Sequence, residues 1–275
     1  MAVALALLTA LAYGVGDFSG GLAARRASPL TVTATAHRVG LTGLVVVAAI
    51  VGAEAVRPSD LGRGAVAGIC GCIGVVLLYK GLASGVMAVV SPVSAVIAAA
   101  VPVIWGLVDG ERPGVLATAG IAVALVAVWL VSQNGPMGRP DRSSLLVAVG
   151  SGLGFGGFFI LISGIDESSG LWPLAVGRLT SVALAVGLAL FRTVPVFTPR
   201  HVLGLAMVAG VLDVTANVSF LLATQEGLLS IVAVIAALYP VATVVLAIVV
   251  THERLSATQG VGLVLAGGAL VLIAV

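Results

Sequence analysis

The chain has 275 residues, of which 60% are hydrophobic and only 9% are Asp, Glu, Lys or Arg, and its formal net charge is +2. A soluble domain carries about 25% charged residues to cover its surface, so this chain cannot coat a globule and its outer surface must face lipid. Ten crossings would use about 200 residues, which excludes an extramembrane catalytic domain, an ATPase module or a large ectodomain, and the scattered Arg leave no basic stripe for nucleic acid.

The first apolar run, 2–24, has no basic n-region, contains Asp17, and is followed at once by Arg25-Arg26 and a second long run. It reads as a retained helix and not as a signal peptide. Further helices are predicted over 30–53, 64–82, 85–107, 114–132, 145–164, 171–191, 202–224, 228–250 and 256–275. Turn-forming segments separate them, among them Arg57-Pro58-Ser59-Asp60, Asp109-Gly110-Glu111-Arg112-Pro113-Gly114 and Asn134-Gly135-Pro136. The longest polar stretch, 132–144, reads as a linker between halves. This divides the chain into a first five-helix unit over 1–133, a linker over 134–144 and a second unit over 145–275.

An internal repeat supports the division. At a shift of 142 residues, Glu111-Arg112 falls on Glu253-Arg254 and Gly120 on Gly262, followed by Ala124 on Ala266, Ala127 on Ala269 and Leu130 on Leu272; Gly85 and Gly227 fall on the same shift. Arg38 and Arg178 fit a shift of 140. Five helices per half is an odd number, so the second half is turned over in the membrane. The expected fold is all-α and integral to the membrane, with ten transmembrane helices in two inverted five-helix repeats, an arrangement many secondary transporters share.

Two short patterns then stand out, each in both halves. They are Val90-Ser91-Pro92-Val93-Ser94 with Gly110-Glu111-Arg112-Pro113, and Leu238-Tyr239-Pro240-Val241 with His252-Glu253-Arg254-Leu255 and Gln259-Gly260-Val261-Gly262. In order and spacing the chain resembles the EamA-like family of the drug/metabolite transporter superfamily along nearly its whole length. The resemblance implies ten helices around a central cavity and alternating-access transport of small organic solutes, often export. Family members handle amino acids, metabolites and toxic compounds, so it names no substrate. It also implies cytoplasmic termini, whereas the Lys and Arg tally near the loops places the termini outside by the positive-inside rule.

Charged groups inside the span are the natural site candidates, since each costs roughly 2.5–3.5 kcal/mol on insertion scales and usually faces the bundle interior. At 1.5 Å per residue, Asp17 and Arg38 lie at matching depth in the first hairpin, and Arg178 and Asp213 within about 3 Å of each other in depth in a later one. Two interior pairs are therefore expected, Asp17–Arg38 and Asp213–Arg178. Each is either a static tie between helices or a substrate or coupling site, because a carboxylate can exchange its Arg partner for a proton or an amine. His37, beside Arg38, titrates near neutral pH, but successive helical residues diverge by 100°, which turns it toward headgroups or a neighbouring helix. Asn217 lies one turn after Asp213 and Tyr13 one turn before Asp17, each on the same face as its partner. Pro92 and Pro240 mark expected helix breaks in corresponding helices, with Tyr239 bringing a ring to that depth and Pro240 freeing the carbonyl of Ala236. The cavity is expected to be lined by the first, third, fourth, sixth, eighth and ninth helices.

Other motifs lose their force in context. Gly152-Leu153-Gly154-Phe155-Gly156-Gly157 fits G-x-G-x-x-G, but it lies inside a membrane run with no preceding strand. Cys70 and Cys72 cannot supply four zinc ligands and read as packing. Glu111 and Glu253 read as acidic residues at the positive ends of the helices they open. No cofactor, metal or nucleic acid is expected; the partners are a small-molecule solute and the lipid bilayer of the cell membrane, which the chain crosses many times. The leading reading is a secondary transporter of a small organic solute or metabolite, amino-acid-like compounds included, and not an enzyme. Beside it stand a channel or non-transporting assembly subunit, and an intramembrane enzyme, for which three His on separate segments offer no paired nucleophile and base. Substrate identity, coupling ion and oligomeric state are not legible at this level.

Overall fold

The computed structural model describes residues 1–83, 87–132, 142–251 and 256–274. Gly85, residues 133–141 of the expected linker, and His252, Glu253, Arg254 and Leu255 lie outside the described residues. The described chain is helical throughout, with no strand: α1 (Ala2–Ala24), α2 (Pro29–Val51), α3 (Pro58–Ala83), α4 (Met87–Val108), α5 (Val115–Val131), α6 (Arg142–Ser163), α7 (Trp172–Phe191), α8 (Arg200–Glu226), α9 (Leu229–Ala236), α10 (Tyr239–Thr251) and α11 (Ala257–Ala274), plus one 3-10 turn over Glu167–Ser169. Among the described residues, eight helices or helix pairs are long and apolar enough to cross a membrane, α9 and α10 together forming one of them over Leu229–Val250. Pro92–Val108 and Val115–Val131 are shorter apolar helices. Large apolar side chains cover the outside, among them Leu11, Ile50, Val108 and Val264. That surface would be prohibitive in water and suits lipid.

Helix pairing follows the repeat. Helix α1 packs on α8 as α3 packs on α6, α3 packs on α7 as α2 packs on α8, and α2 with α7 and α5 with α11 close the set. Exchanging the two halves generates this pattern, with α9 and α10 together acting as one helix.

Several expected boundaries move for physical reasons. Helix α3 starts at Pro58, six residues earlier than its apolar run, because proline suits the first helical turn and Asp60 favours the positive end. Helix α6 absorbs the last three residues of the expected linker, starting at Arg142. Pro240 does break its helix: α9 ends at Ala236 and α10 begins at Tyr239, with Leu238 N–H donating to the carbonyl of Ile235 at 3.0 Å. Pro92 does not break its own. Helix α4 runs through Pro92 and Pro102 without interruption. Pro92 is the sixth residue of the helix, where it removes a single hydrogen bond close to a terminus and need not end the helix.

Glu111 corrects a second expectation. It lies outside α5, whose N-cap is Gly114, and instead spans the start of α9. Its two carboxylate oxygens accept the amides of Leu229 at 2.6 Å and Ser230 at 2.9 Å. A helix start has amides with no partner of their own, and a carboxylate answers both the hydrogen bonds and the dipole. Glu111→Ala is expected to cost about 1–2 kcal/mol, with Glu111→Gln losing less. Thermal unfolding of the purified variants checks both.

Candidate functional site

Four side chains at mid-depth form a continuous polar chain. Arg178 of α7 donates to Asp213 of α8 at 2.5 Å. Asn217, one turn along α8, donates to the same carboxylate at 3.4 Å and accepts the hydroxyl of Tyr13 from α1 at 2.5 Å. Arg178 and Asn217 are buried, at 7% and 2% exposure. The Tyr13–Asn217 bond ties the first half of the chain to the second. Behind Tyr13 lies an aromatic stack in which Phe159 tilts against Tyr13 and lies flat on Phe220, ring centroids 4.4 Å apart.

The chain of polar groups divides the interior into two chambers. The larger holds Arg178 and runs toward the starts of α3 and α7, between Gly64, Gly68, Leu174 and Gly177, with Phe155 and Phe158 as an aromatic wall. The smaller lies on the other side, around Asp17, with Tyr79, Ala36 and Ala209. Tyr13, His37, Val75 and Asp213 face both. Their open volumes are about 20 and 10 Å³, room for a water or so each. An organic solute needs a cavity of roughly 300 Å³ or more, so both chambers are closed around their side chains. The helices that line them are α1, α2, α3, α6, α7 and α8, and not the fourth or the ninth as expected.

The pair Asp17–Arg38 does not form. Arg38 points away from the chambers, donating to the carbonyl of Val196 at 3.0 Å and lying 5.1 Å from the Phe197 ring centroid. His37 takes the inward position, at 2% exposure. Depth arithmetic fixes the level of a residue but not its azimuth, and the 100° between neighbours reverses which of the two faces inward. Tyr239 is buried, with its hydroxyl unpaired, and lines neither chamber. Tyr79 was not singled out by the sequence. Its hydroxyl fills the notch left by Gly20 of α1, where a Cβ would collide with it. The signal was there in the i, i+4 spacing of Val75 and Tyr79, which puts both on one face.

Each end of this path is held by a clasp between the two halves. At the end where α1 begins, loop 52–57 meets segment 164–171. Ala55 N–H donates to Ser168 at 3.0 Å, Arg57 pairs with Asp166 at 2.7 Å, and buried Asp60 accepts Ser169 Oγ at 2.8 Å and Asp166 N–H at 3.3 Å. Arg63 completes it by pairing with Asp60 at 3.4 Å and donating to the carbonyl of Gly164. At the opposite end, loop 192–199 meets the start of α2. Thr31 donates to the carbonyl of Pro195, Thr198 donates to Thr35 at 2.8 Å, and Arg38 holds Val196. The clasps are counterparts under the repeat, but the first is ionic and the second is mostly hydroxyl and backbone. A wider recess of about 430 Å³ lies beside the ionic clasp, lined by Arg63, Trp105, Glu111, Ser163 and Thr224 among others.

The model of the EamA-like transporter family matches residues 1–133 and again 142–275, one copy per half. The chain belongs to the EamA-like transporter family. It is thereby a member of the drug/metabolite transporter superfamily and a multi-pass membrane transporter by family. This EamA-like chain is also similar to a solved structure titled "Crystal structure of protein", at a TM-score of 0.77 and 16% identity, covering 98% of each chain. At that identity the likeness speaks for the fold alone. No curated protein matches the sequence. Among the described residues of this EamA-like chain, no group of three or more His, Cys, Asp or Glu could hold a metal ion.

Proposed function

We propose that this protein is a secondary transporter of the cell membrane that carries a small organic solute or metabolite by alternating access, in the direction of export. The observation that carries the reading is the buried Arg178–Asp213 pair, linked through Asn217 to Tyr13 and placed between two chambers that are each closed by a clasp. A guanidinium and a carboxylate inside the span are costly, and here they border the space a solute would occupy. Arg178 receives an anionic group of the solute, Asp213 a cationic one, and Phe155 and Phe158 its apolar body. Loosening one clasp at a time widens the larger chamber toward one face and then the other.

Flux in vesicles tests this. Asp213→Asn is expected to cut transport at least tenfold while the protein still reaches the membrane, and Asp17→Asn to cut it as well. Wild-type flux from both would overturn the site. A thermal-shift screen of the purified protein against amines, amino acids and nucleosides supplies the solute, since binding to the native state raises apparent stability.

A further inference from the structure

We infer that the small chamber around Asp17 is a proton-binding site, separate from the chamber that takes the solute, with His37 as the group that connects the two. Its walls bring together the carboxyl groups of Asp17 and Asp213, the imidazole of His37 and the phenols of Tyr13 and Tyr79. Only Asp213 has a cationic partner, and the head of that partner, Arg178, lies in the other chamber. Among the described residues, no cation pairs with the Asp17 carboxyl group. Inside the span a lone carboxylate is costly as the anion, and a bound proton removes the cost.

Size selects the ligand. The chamber's open volume of about 10 Å³ admits one water at most. In this closed arrangement an ammonium group on an organic solute does not fit there, whereas a proton carried by water does. The second observation is His37. It is 2% exposed, it lines both chambers, and its Nδ1 has no hydrogen-bond partner. A neutral imidazole carries one donor and one acceptor nitrogen, so the ring can accept a proton on one side and release it from the other. The titratable and charged groups facing Asp17 and His37 are Tyr13 of α1, Tyr79 of α3, Arg178 of α7 and Asp213 of α8, and the buried Tyr239 of α10 lies against α1 at Gly14. Of the carboxyl and imidazole groups lining the small chamber, Asp17 and His37 have no ionic partner among the described residues, whereas Asp213 is paired with Arg178. The proton moves between water, the His37 nitrogen and the Asp17 carboxyl oxygen, and no other bond is made or broken. Its use in driving export rests on the transport reading, but the site itself does not.

Infrared difference spectroscopy of the full-length protein in lipid nanodiscs, titrated from about pH 5 to about pH 9 around the imidazole range, tests the site with the proton as the only probe. The expected result is a carboxylic-acid C=O stretching band that titrates in wild type, is lost in Asp17→Asn, and returns at a shifted frequency in Asp17→Glu. The midpoint of the titration is expected to move in His37→Gln. Absence of a titrating band in wild type, or a band untouched by Asp17→Asn, overturns the proposal. If the Asp17 band titrates but no solute is carried, the proton site stands and the transport reading falls. If flux persists without the band, the site falls and the transport reading stands.

Discussion

Arg178→Met is expected to destabilise the protein by about 3–5 kcal/mol, because it leaves Asp213 as an uncompensated charge in the interior. Arg178 is 7% exposed and its guanidinium lies 2.5 Å from the carboxylate. Asn217 still offers one hydrogen bond at 3.4 Å, too little to replace a full countercharge. The double variant Arg178→Met/Asp213→Leu removes both charges and fills similar volume. It is expected to recover most of the lost stability, since a buried pair often contributes little net when both members are replaced together. Transport does not recover with it. Unfolding midpoints in detergent, measured beside vesicle flux, check both parts: a double variant as unstable as the single would mean that the pair is a structural tie.

Gly68→Val carries the second large effect. Helices α3 and α7 touch backbone to backbone, so a Cβ on Gly68 would fall on the carbonyl of Gly177, and one on Gly64 on that of Pro173. The Gly68 carbonyl also accepts the hydroxyl of Ser181 at 2.5 Å. Overpacking of this kind typically costs 1–3 kcal/mol where side chains can adjust. Backbone cannot move aside in the same way, and a loss above about 3 kcal/mol is expected, with the larger chamber forced open between the two helices. Loss of thermal stability, together with faster labelling of a cysteine placed at Leu174, would register both effects.

The all-helical, two-repeat architecture was legible because lipid demands it: long apolar runs repeated in two halves leave few folds open. Arg178 and Asp213 were legible as neighbours because they belong to helices joined by a short loop, where rise per residue alone sets depth. The same ruler failed for Asp17 and Arg38, since matching depth says nothing about which side of α2 faces inward. Glu111 shows another limit. Its partners, the amides of Leu229 and Ser230, lie 118 and 119 residues away in the chain, and no local pattern announces such a contact. Pro240 announced its break correctly, whereas Pro92, with the same chemistry, sits too near a terminus to cause one. Tyr79 shares a helix face with Val75, but nothing in the local pattern says that this face meets the notch at Gly20 of α1.

The unlike clasps give the two membrane faces different sensitivities. Arg57 and Asp166 are 55% and 37% exposed, and raising salt from 0.1 to 1 M shortens the screening length from about 10 to about 3 Å. At the other end the one charged member described, Arg38, is set against a carbonyl and an aromatic ring and not against a carboxylate, so salt has no ion pair there to screen. The hydroxyl and amide of Ser168, followed by Arg57, hold the Asp166 carboxyl below the ordinary carboxylate range. Because the folded value is the lower one, its contribution is complete above the ordinary value of about 4 and is lost only as acid titrates the folded form. High salt is therefore expected to speed labelling of a cysteine at Leu174 from the ionic end and to leave one at Ala209 unchanged. Under the alternating-access function proposed above, the composition of the solution on the ionic side would set how long the protein dwells facing that side, while the other side would act as a fixed threshold.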